Sequence, residues 1–210
     1  LSFPLPCHMI ANAAFTSQQL PRVEIPTLTN KISRTGGQLV ADAMMNHGVD
    51  TAFCVPGESY LEILDALYDK RNANAVISAR HENGAANMAE AHGKLTGRPG
   101  ICFVTRGPGA TNASIGVHTA FQDSTPMILF IGQVARDQAD REAFQEIDFR
   151  RMFGQMAKWV AEIQDPARIP EYVSRAFHTA VNGRPGPVVL ALPEDMLREM
   201  VEGTGTKPYR

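Results

Sequence analysis

The chain has 210 residues, enough for one sizeable hydrophobic core, and its 44% hydrophobic and 20% charged content is typical of globular proteins. Lys and Arg number 20 against 22 Asp and Glu, so the formal net charge of −2 offers no basic excess for nucleic acid. No apolar run approaches the length of a membrane span. We therefore expect neither a nucleic-acid nor a membrane partner, and a cytoplasmic location.

The two ends of the chain differ in composition from the part between them. Residues 1–30 carry four prolines, lack the charged start and apolar core of a signal peptide, and contain little arginine for a transit peptide. We interpret residues 1–34 as an extended arm or an added lead, residues 35–195 as one folded domain, and residues 196–210 as the start of a linker.

Between these ends, strand and helix patterns alternate. Apolar runs predict six strands, over residues 51–55, 75–79, 101–105, 127–131, 159–163 and 188–192. Helical patterns cover residues 35–47, 83–95, 111–121 and 169–181, with a further helix after Ser59 and a looser polar segment over 133–153. The alternation predicts an α/β fold in which a six-stranded parallel sheet has helices on both faces.

Single residues predict several helix ends and the state of the thiols. Gly48 suits the carboxyl end of the first helix, Ser59 and Glu62 have the spacing of a capping box, and Asp165 is a good N-cap. The three cysteines are Cys7, Cys54 and Cys102, and the last two lie in apolar strand-like runs. We expect buried thiols rather than a disulfide, and no pair has metal-ligand spacing.

The most informative segment runs from Arg80 to Ala91 and contains Glu82. It follows the run at 75–79, which predicts a buried strand, so the carboxylate stands where open α/β sheets place their chemistry. Small residues follow at Gly84, Ala85, Ala86 and Ala89, so another backbone or a flat ring can approach closely. A glutamate in such a site can give a proton to a heterocycle. The alternative is a solvated carboxylate stabilised by the helix dipole, and His81 is expected to be structural.

A second segment, Arg106 to Asn112, lies between a predicted strand and a predicted helix. Gly107 and Gly109 permit a tight turn and close approach of a ligand to free N–H groups at the helix start. The pattern resembles a dinucleotide fingerprint, but Asn112 replaces the third glycine and no acidic residue ends the next strand. A dinucleotide- or flavin-binding module stays as an alternative, and Asn112 could equally cap its helix.

Taken together, these motifs resemble the N-terminal, pyrimidine-binding domain of thiamine diphosphate-dependent enzymes, in particular acetolactate synthases. The resemblance covers residues 35–195, and its motifs appear in the family's order. They are His81-Glu82 with Ala86, Met88-Ala89 and Gly93, then Thr96-Gly97, Gly107-Pro108-Gly109 with Asn112 and Gly116, Asp123-Ser124 with Pro126, and Gly132-Gln133.

The resemblance implies roles for individual residues. The carboxyl group of Glu82 would bond a ring nitrogen of the cofactor's aminopyrimidine and thereby activate the cofactor. Gln145 would face the reacting centre, although a surface glutamine is the open alternative in this irregular segment. The remaining cofactor contacts implied are Val55, Pro56, Gly57, Pro108, Gly109 and Asn112.

The resemblance also implies partners. The parent enzyme would be a homodimeric lyase or carboligase acting on a 2-keto acid, with its diphosphate-binding Mg²⁺ held by a domain outside this chain. The chain alone would then be inactive, or it would be one subunit of a split enzyme. Many synthases have a second glycine where this chain has Glu58, which leaves the substrate open. The small residues of the helix at 83–95 suit packing against the helix's own copy in a dimer.

Overall fold

A computed structural model describes residues 32–203. Its main sheet has six strands, all parallel, in the order β3–β2–β4–β5–β7–β6. This confirms the predicted fold class, and the strand ends differ from the predicted ones by at most two residues. The six strands are β2 (Thr51–Cys54), β3 (Ala75–Ser78), β4 (Gly100–Thr105), β5 (Met127–Gln133), β6 (Trp159–Glu162) and β7 (Pro187–Pro193).

Helices cover both faces of this sheet. One hydrophobic cluster contains side chains of α1, α2, α6 and α7, and the other contains side chains of α3, α4 and α5. Each face of the sheet therefore has its own core, as expected for a parallel sheet. The helices are α1 (Gly36–Asn46), α2 (Leu61–Asp69), α3 (Glu82–Thr96), α4 (Arg106–Asp123), α5 (Phe149–Phe153), α6 (Ile169–Val181) and α7 (Glu194–Arg198).

The strands differ sharply in burial. Every residue of β5 and β7 is buried, whereas every residue of β3 is exposed, with Val76 and Ile77 exposed by 36% and 41%. The prediction of a buried strand at 75–79 was therefore wrong. The physical reason is position: β3 lies at the edge of the sheet and pairs only with β2.

A small antiparallel ribbon joins the two ends of the described chain. Strand β1 (Ile32–Thr35) pairs with β8 (Met200–Gly203), with Thr35 opposite Met200. Neither strand is predicted from the sequence, and most of their residues lie in the segments interpreted as the arm and the linker. The domain boundaries themselves stay a prediction.

Several helix ends follow the sequence, and one does not. Thr35 caps α1 in a capping box with Gln38, and the side chain of Asp165 accepts a hydrogen bond from the N–H of Ala167, as an N-cap does. Gly48, with a φ of +74°, follows the end of α1 as predicted. The capping box at Ser59 was wrong, because its hydroxyl lies 2.7 Å from that of Thr105 and α2 has no side-chain cap.

Helix α4 begins at Arg106, five residues before its predicted start at 111. Gly107, Pro108 and Gly109 thus form its first turn rather than a preceding loop. A proline is tolerated there because the N–H groups of the first turn have no partner within the helix. The tight turn predicted at Gly107 and Gly109 is therefore the first turn of the helix itself.

The small residues of α3 are used within the chain. Ala85, Ala86 and Ala89 are fully buried, and a Cβ placed on Gly116 of α4 would lie 2.6 Å from that of Ala86. A Cβ on Gly100 would meet the backbone oxygen of Ala89. These three alanines therefore pack within the chain, whereas Gly84 and Ala91 of the same helix are exposed. The packing of this helix against its own copy in a dimer stays a prediction.

The two described cysteines, Cys54 and Cys102, are free and buried, as predicted, while Cys7 lies outside the described residues. Burial raises the pKa of both thiols, so neither is an activated nucleophile. Within the described part of the chain, no helix is long and apolar enough to cross a bilayer.

Candidate functional site

Three predicted site segments meet at one edge of the sheet. Residues 55–57 follow β2, Glu82 follows β3, and residues 107–112 follow β4. These strands are neighbours in the order β3–β2–β4 and run parallel, so their carboxyl ends lie side by side. The helices after β2 and β4 cover opposite faces of the sheet, and such a switch point is where open α/β sheets bind ligands.

Glu82 is the first residue of α3, and His81 is the N-cap of that helix. The Nδ1 atom of His81 accepts a hydrogen bond from the N–H of Asn83 at 3.2 Å, which confirms the structural interpretation of this histidine. The Nδ2 atom of Asn112 donates to Oε2 of Glu82 at 2.9 Å. Asn112 lies in the second turn of α4, so it does not cap that helix. The structure joins two predicted site residues that are thirty positions apart.

Gly109 lets the first turn of α4 approach this carboxylate. A Cβ on Gly109 would lie 3.2 Å from Cβ of Val104 and 3.6 Å from Oε1 of Glu82. One carboxylate oxygen of Glu82 is thus held by Asn112, while the other faces the glycine turn. A larger residue than glycine would occupy part of the space beside that second oxygen.

The segment after β2 is tied to the end of β4. The hydroxyl of Tyr60 donates to the backbone oxygen of Val55, and burial raises the pKa of this phenol, which keeps it a donor. A Cβ on Gly57 would lie 2.4 Å from Cβ of Thr105, so only glycine allows this approach. Pro56 is exposed at the rim.

An open cleft of about 380 Å³ lies beside the start of α4. Gln145 is in its wall, and its backbone oxygen accepts a hydrogen bond from the N–H of Gly107 at 2.9 Å. Val55, Pro56 and Gly57 are not among the lining residues and lie one strand away. The lining consists of Gly107, Pro108, Thr111, Asn112, Gln145, Glu146 and Ile147.

Two charged residues at this edge escaped the sequence analysis. Arg106 has a φ of +38° and is 8% exposed, and its guanidinium donates to Glu58 at 3.0 Å and to Glu194 at 2.9 Å. Glu146 directly follows Gln145, and its carboxylate accepts two backbone N–H groups. Arg106 could have been found from its position between a buried strand and the Gly-Pro-Gly segment. For Glu146, the only signal in the sequence is that it directly follows Gln145.

A larger cleft, of about 720 Å³, lies at the ends of β5, β6 and β7. Most of its charged lining is already paired: Arg136 bonds Asp195 and Glu199, and Asp148 caps α5. None of the predicted site residues lines it. Among residues 32–203, no group of three or more His, Cys, Asp or Glu side chains could hold a metal ion.

Known proteins match this chain over the same region. The family model described as "Thiamine pyrophosphate enzyme, N-terminal TPP binding domain" matches residues 34–152, which include Glu82, Asn112 and Gln145. Thiamine pyrophosphate is another name for thiamine diphosphate.

Individual relatives agree with the family model. The mitochondrial acetolactate synthase catalytic subunit of Aspergillus candidus is 39% identical over 79% of this chain and 24% of its own length. The acetolactate synthase of Arthrospira platensis is 38% identical over 83% of this chain and 30% of its own length. That of Bacillus subtilis is 37% identical over 85% of this chain and 30% of its own length. The chain thus spans only 24% to 30% of the length of these relatives. Neither alternative, a dinucleotide- or flavin-binding module or a split-enzyme subunit, gains support from these matches. The chain belongs to the thiamine pyrophosphate enzyme family and contains its N-terminal TPP-binding domain.

Proposed function

We propose that the protein containing this chain is a thiamine diphosphate-dependent lyase or carboligase acting on a 2-keto acid. In this proposal the domain binds the cofactor's aminopyrimidine, and Glu82 supplies the activating carboxyl group. The observation that carries the proposal is the pairing of Glu82 with Asn112, at the edge of the sheet where β3 and β4 end, inside the segment that matches the family.

The residues present fit one end of this cofactor. A carboxylate, a side-chain amide and the flat face of Pro108 suit a small planar ring that carries hydrogen-bonding nitrogens. The other end is different: the lining of the cleft contains no Lys or Arg, which a diphosphate would need. We therefore assign the diphosphate and its Mg²⁺ to a domain outside this chain.

When bound, the cofactor supplies the carbanion chemistry that cleaves the bond beside a 2-keto acid's carbonyl group. The task of this domain is to hold and move one proton. The amide of Asn112 holds Oε2 of Glu82, which leaves Oε1 to share a proton with a ring nitrogen. Gly109 keeps that oxygen accessible, and Pro108 would border the ring. Val55, Pro56 and Gly57, which follow the neighbouring strand β2, would border it from outside this cleft.

Gln145 completes the proposal on the substrate side. Its segment forms the wall of the cleft next to Pro108 and Asn112, and a side-chain amide at this wall would suit a reacting carbonyl or carboxylate. Glu58, which stands where many synthases have glycine, pairs with buried Arg106 at the same edge. Substrate choice is therefore the property in which we expect this protein to differ from its relatives.

The homodimer and the cytoplasmic location also stay predictions. The outward face of α3 and α4 presents Gly84, Asn87, Ala91, Asn112 and Ile115, the last exposed by 52%, and this face can meet a second subunit. Sedimentation equilibrium of the full-length protein tests this, with Ile115→Glu expected to weaken the dimer. Relatives include bacterial and mitochondrial proteins, so cell fractionation must decide the location.

Calorimetry tests the proposed division of the cofactor site. Full-length protein should bind thiamine diphosphate in the presence of Mg²⁺ and release carbon dioxide from a 2-keto acid, whereas the 210-residue chain should bind it weakly or not at all. Tight, magnesium-dependent binding to the 210-residue chain would contradict the division. Tight binding of NAD or FAD to this chain would instead favour the dinucleotide alternative.

A further inference from the structure

The segment that carries Gln145 has an unfavourable backbone conformation. Asp140, Glu142 and Gln145 have φ angles of +60°, +53° and +66°, in the left-handed region that residues with a side chain adopt only at a cost. Such a conformation persists only where surrounding contacts hold it. Residues 139–147 belong to no helix or strand, so those contacts must come from side chains or from neighbouring elements.

The side chain of Glu146 makes the contacts that close this turn. Its Oε1 accepts a hydrogen bond from the N–H of Asp140 at 2.6 Å, and its Oε2 accepts one from the N–H of Ala143 at 3.0 Å. The N–H of Glu146 in turn donates to the backbone oxygen of Ala143 at 3.0 Å. The N–H groups of Ala143 and Asp140 lower the pKa of this carboxyl group, so the closed turn favours the carboxylate.

The same segment is anchored to the site on its other side. The N–H of Gly107, in the first turn of α4, donates to the backbone oxygen of Gln145 at 2.9 Å. The Nε2 atom of Gln133 donates to the backbone oxygen of Ile147 at 2.9 Å. A Cβ on Gly107 would come within 2.8 Å of the oxygen of Gln145, so the two segments are in close contact.

From these contacts we infer that Glu146 is the positioning residue for Gln145: its carboxylate fixes the 140–146 turn and so presents Gln145 to the cleft beside Pro108 and Asn112. Both carboxylate oxygens are engaged within the turn, so Glu146 acts through Gln145 rather than on a ligand. This inference rests on the proposed function for the role of Gln145, but the positioning itself is a property of the fold.

Glu146→Gln is the direct test, since a glutamine can accept only one of the two N–H groups with its oxygen. Glu142→Gln is the matched control, because it removes the same charge from an exposed residue of the same turn. Hydrogen exchange by mass spectrometry, on full-length protein without cofactor, should show faster exchange in peptides covering 139–148 and 106–112 for Glu146→Gln only. Unchanged exchange in both peptides would overturn the inference.

A double-variant cycle tests whether Glu146 acts through Gln145. We expect Glu146→Gln to lower kcat roughly tenfold, because a small misplacement of a reacting group is costly. In the Gln145→Ala background the same change should have no further effect. Independent, multiplicative losses would overturn the inference. If the proposed function is wrong, the wild-type protein will not bind thiamine diphosphate. The hydrogen-exchange result does not depend on that outcome, because it is measured without cofactor.

Discussion

Glu82 and Gln145 are held at the same edge of the sheet by two different kinds of support. Glu82 is the first residue of a fifteen-residue helix, directly after a strand, and its neighbour His81 caps that helix. Gln145 lies in a turn with three left-handed residues, held by the carboxylate of Glu146 and by one hydrogen bond to α4. The first residue is placed by regular secondary structure, and the second by a few side-chain contacts.

This difference has a consequence for how each residue tolerates change. A residue at a helix start keeps its position when its own side chain is replaced, because the backbone ladder and the cap remain. A residue in a strained turn moves when any supporting contact is lost. Substitutions at Glu82 should therefore change chemistry without changing structure, whereas substitutions around Gln145 should change both.

The largest effect is expected for Glu82→Gln in the full-length protein. Turnover should fall by about two to three orders of magnitude, as is typical when a proton-transfer group is lost. Stability should change by no more than about 1 kcal/mol, the usual contribution of a carboxylate at a helix start. Steady-state kinetics and urea denaturation measure the two quantities.

Glu171→Gln is the control for that experiment, since Glu171 is an exposed carboxylate in the first turn of α6. It should leave turnover at the wild-type level. If Glu82→Gln also retained near-wild-type turnover, Glu82 would not be the activating group.

The next effect concerns the contact between α4 and the Gln145 turn. A methyl group in Gly107→Ala would lie 2.8 Å from the backbone oxygen of Gln145 and 2.9 Å from Cδ1 of Ile147, so the turn must shift. We expect a loss of about 1–3 kcal/mol in the free energy of unfolding, together with lower activity.

Gly84→Ala is the matched control for Gly107→Ala. Gly84 also lies in the first turn of a helix, but a Cβ there would meet only Cβ of Ala79, at 4.0 Å. This change should raise the free energy of unfolding by about 0.5–1 kcal/mol, as replacing glycine in a helix usually does. Equal effects of the two changes, measured by urea denaturation, would show that the close contact at Gly107 is unimportant.

A smaller effect is expected for Asn112→Ala, which removes the hydrogen bond to Oε2 of Glu82. We expect kcat/KM to fall about tenfold, which corresponds to about 1.4 kcal/mol. In the Glu82→Gln background the same change should cost less, because the oriented carboxylate is already lost. Equal costs in both backgrounds would mean that Asn112 acts independently of Glu82.

The smallest effect is expected for the stability of the turn that carries Gln145, which should decrease at acidic pH. The pKa of Glu146 is below its ordinary value of 4.5 when folded, so its contribution to stability is present above that value. It is lost as the pH falls through the lowered pKa. Limited proteolysis of residues 139–147 should accelerate below pH 4.5 in wild type. Glu146→Gln should be cut quickly at every pH, and a pH dependence that survives this substitution would contradict the assignment.

The sequence alone determined the alternating elements and the place of Glu82. Apolar runs bounded by turn residues fixed six strands, and the direct succession of strand, Glu82 and alanine-rich helix put a carboxylate at the carboxyl edge of the sheet. Local chemistry also predicted the cap at Asp165 and the two buried thiols. These features depend on neighbouring residues, so a sequence pattern can reveal them.

Only the tertiary structure decided the rest. An apolar run does not state which strand will lie at the edge, so the exposure of Val76 and Ile77 depended on the strand order. The same order brought Asn112 to Glu82, and the packing of α3 within the chain buried Ala85, Ala86 and Ala89. Arg106 escaped prediction because its partners are two carboxylates far away in the sequence, those of Glu58 and Glu194. Glu146 escaped prediction because its partners are main-chain N–H groups. Neither kind of partner leaves a periodic trace in the sequence, since both contacts exist only once the backbone has folded.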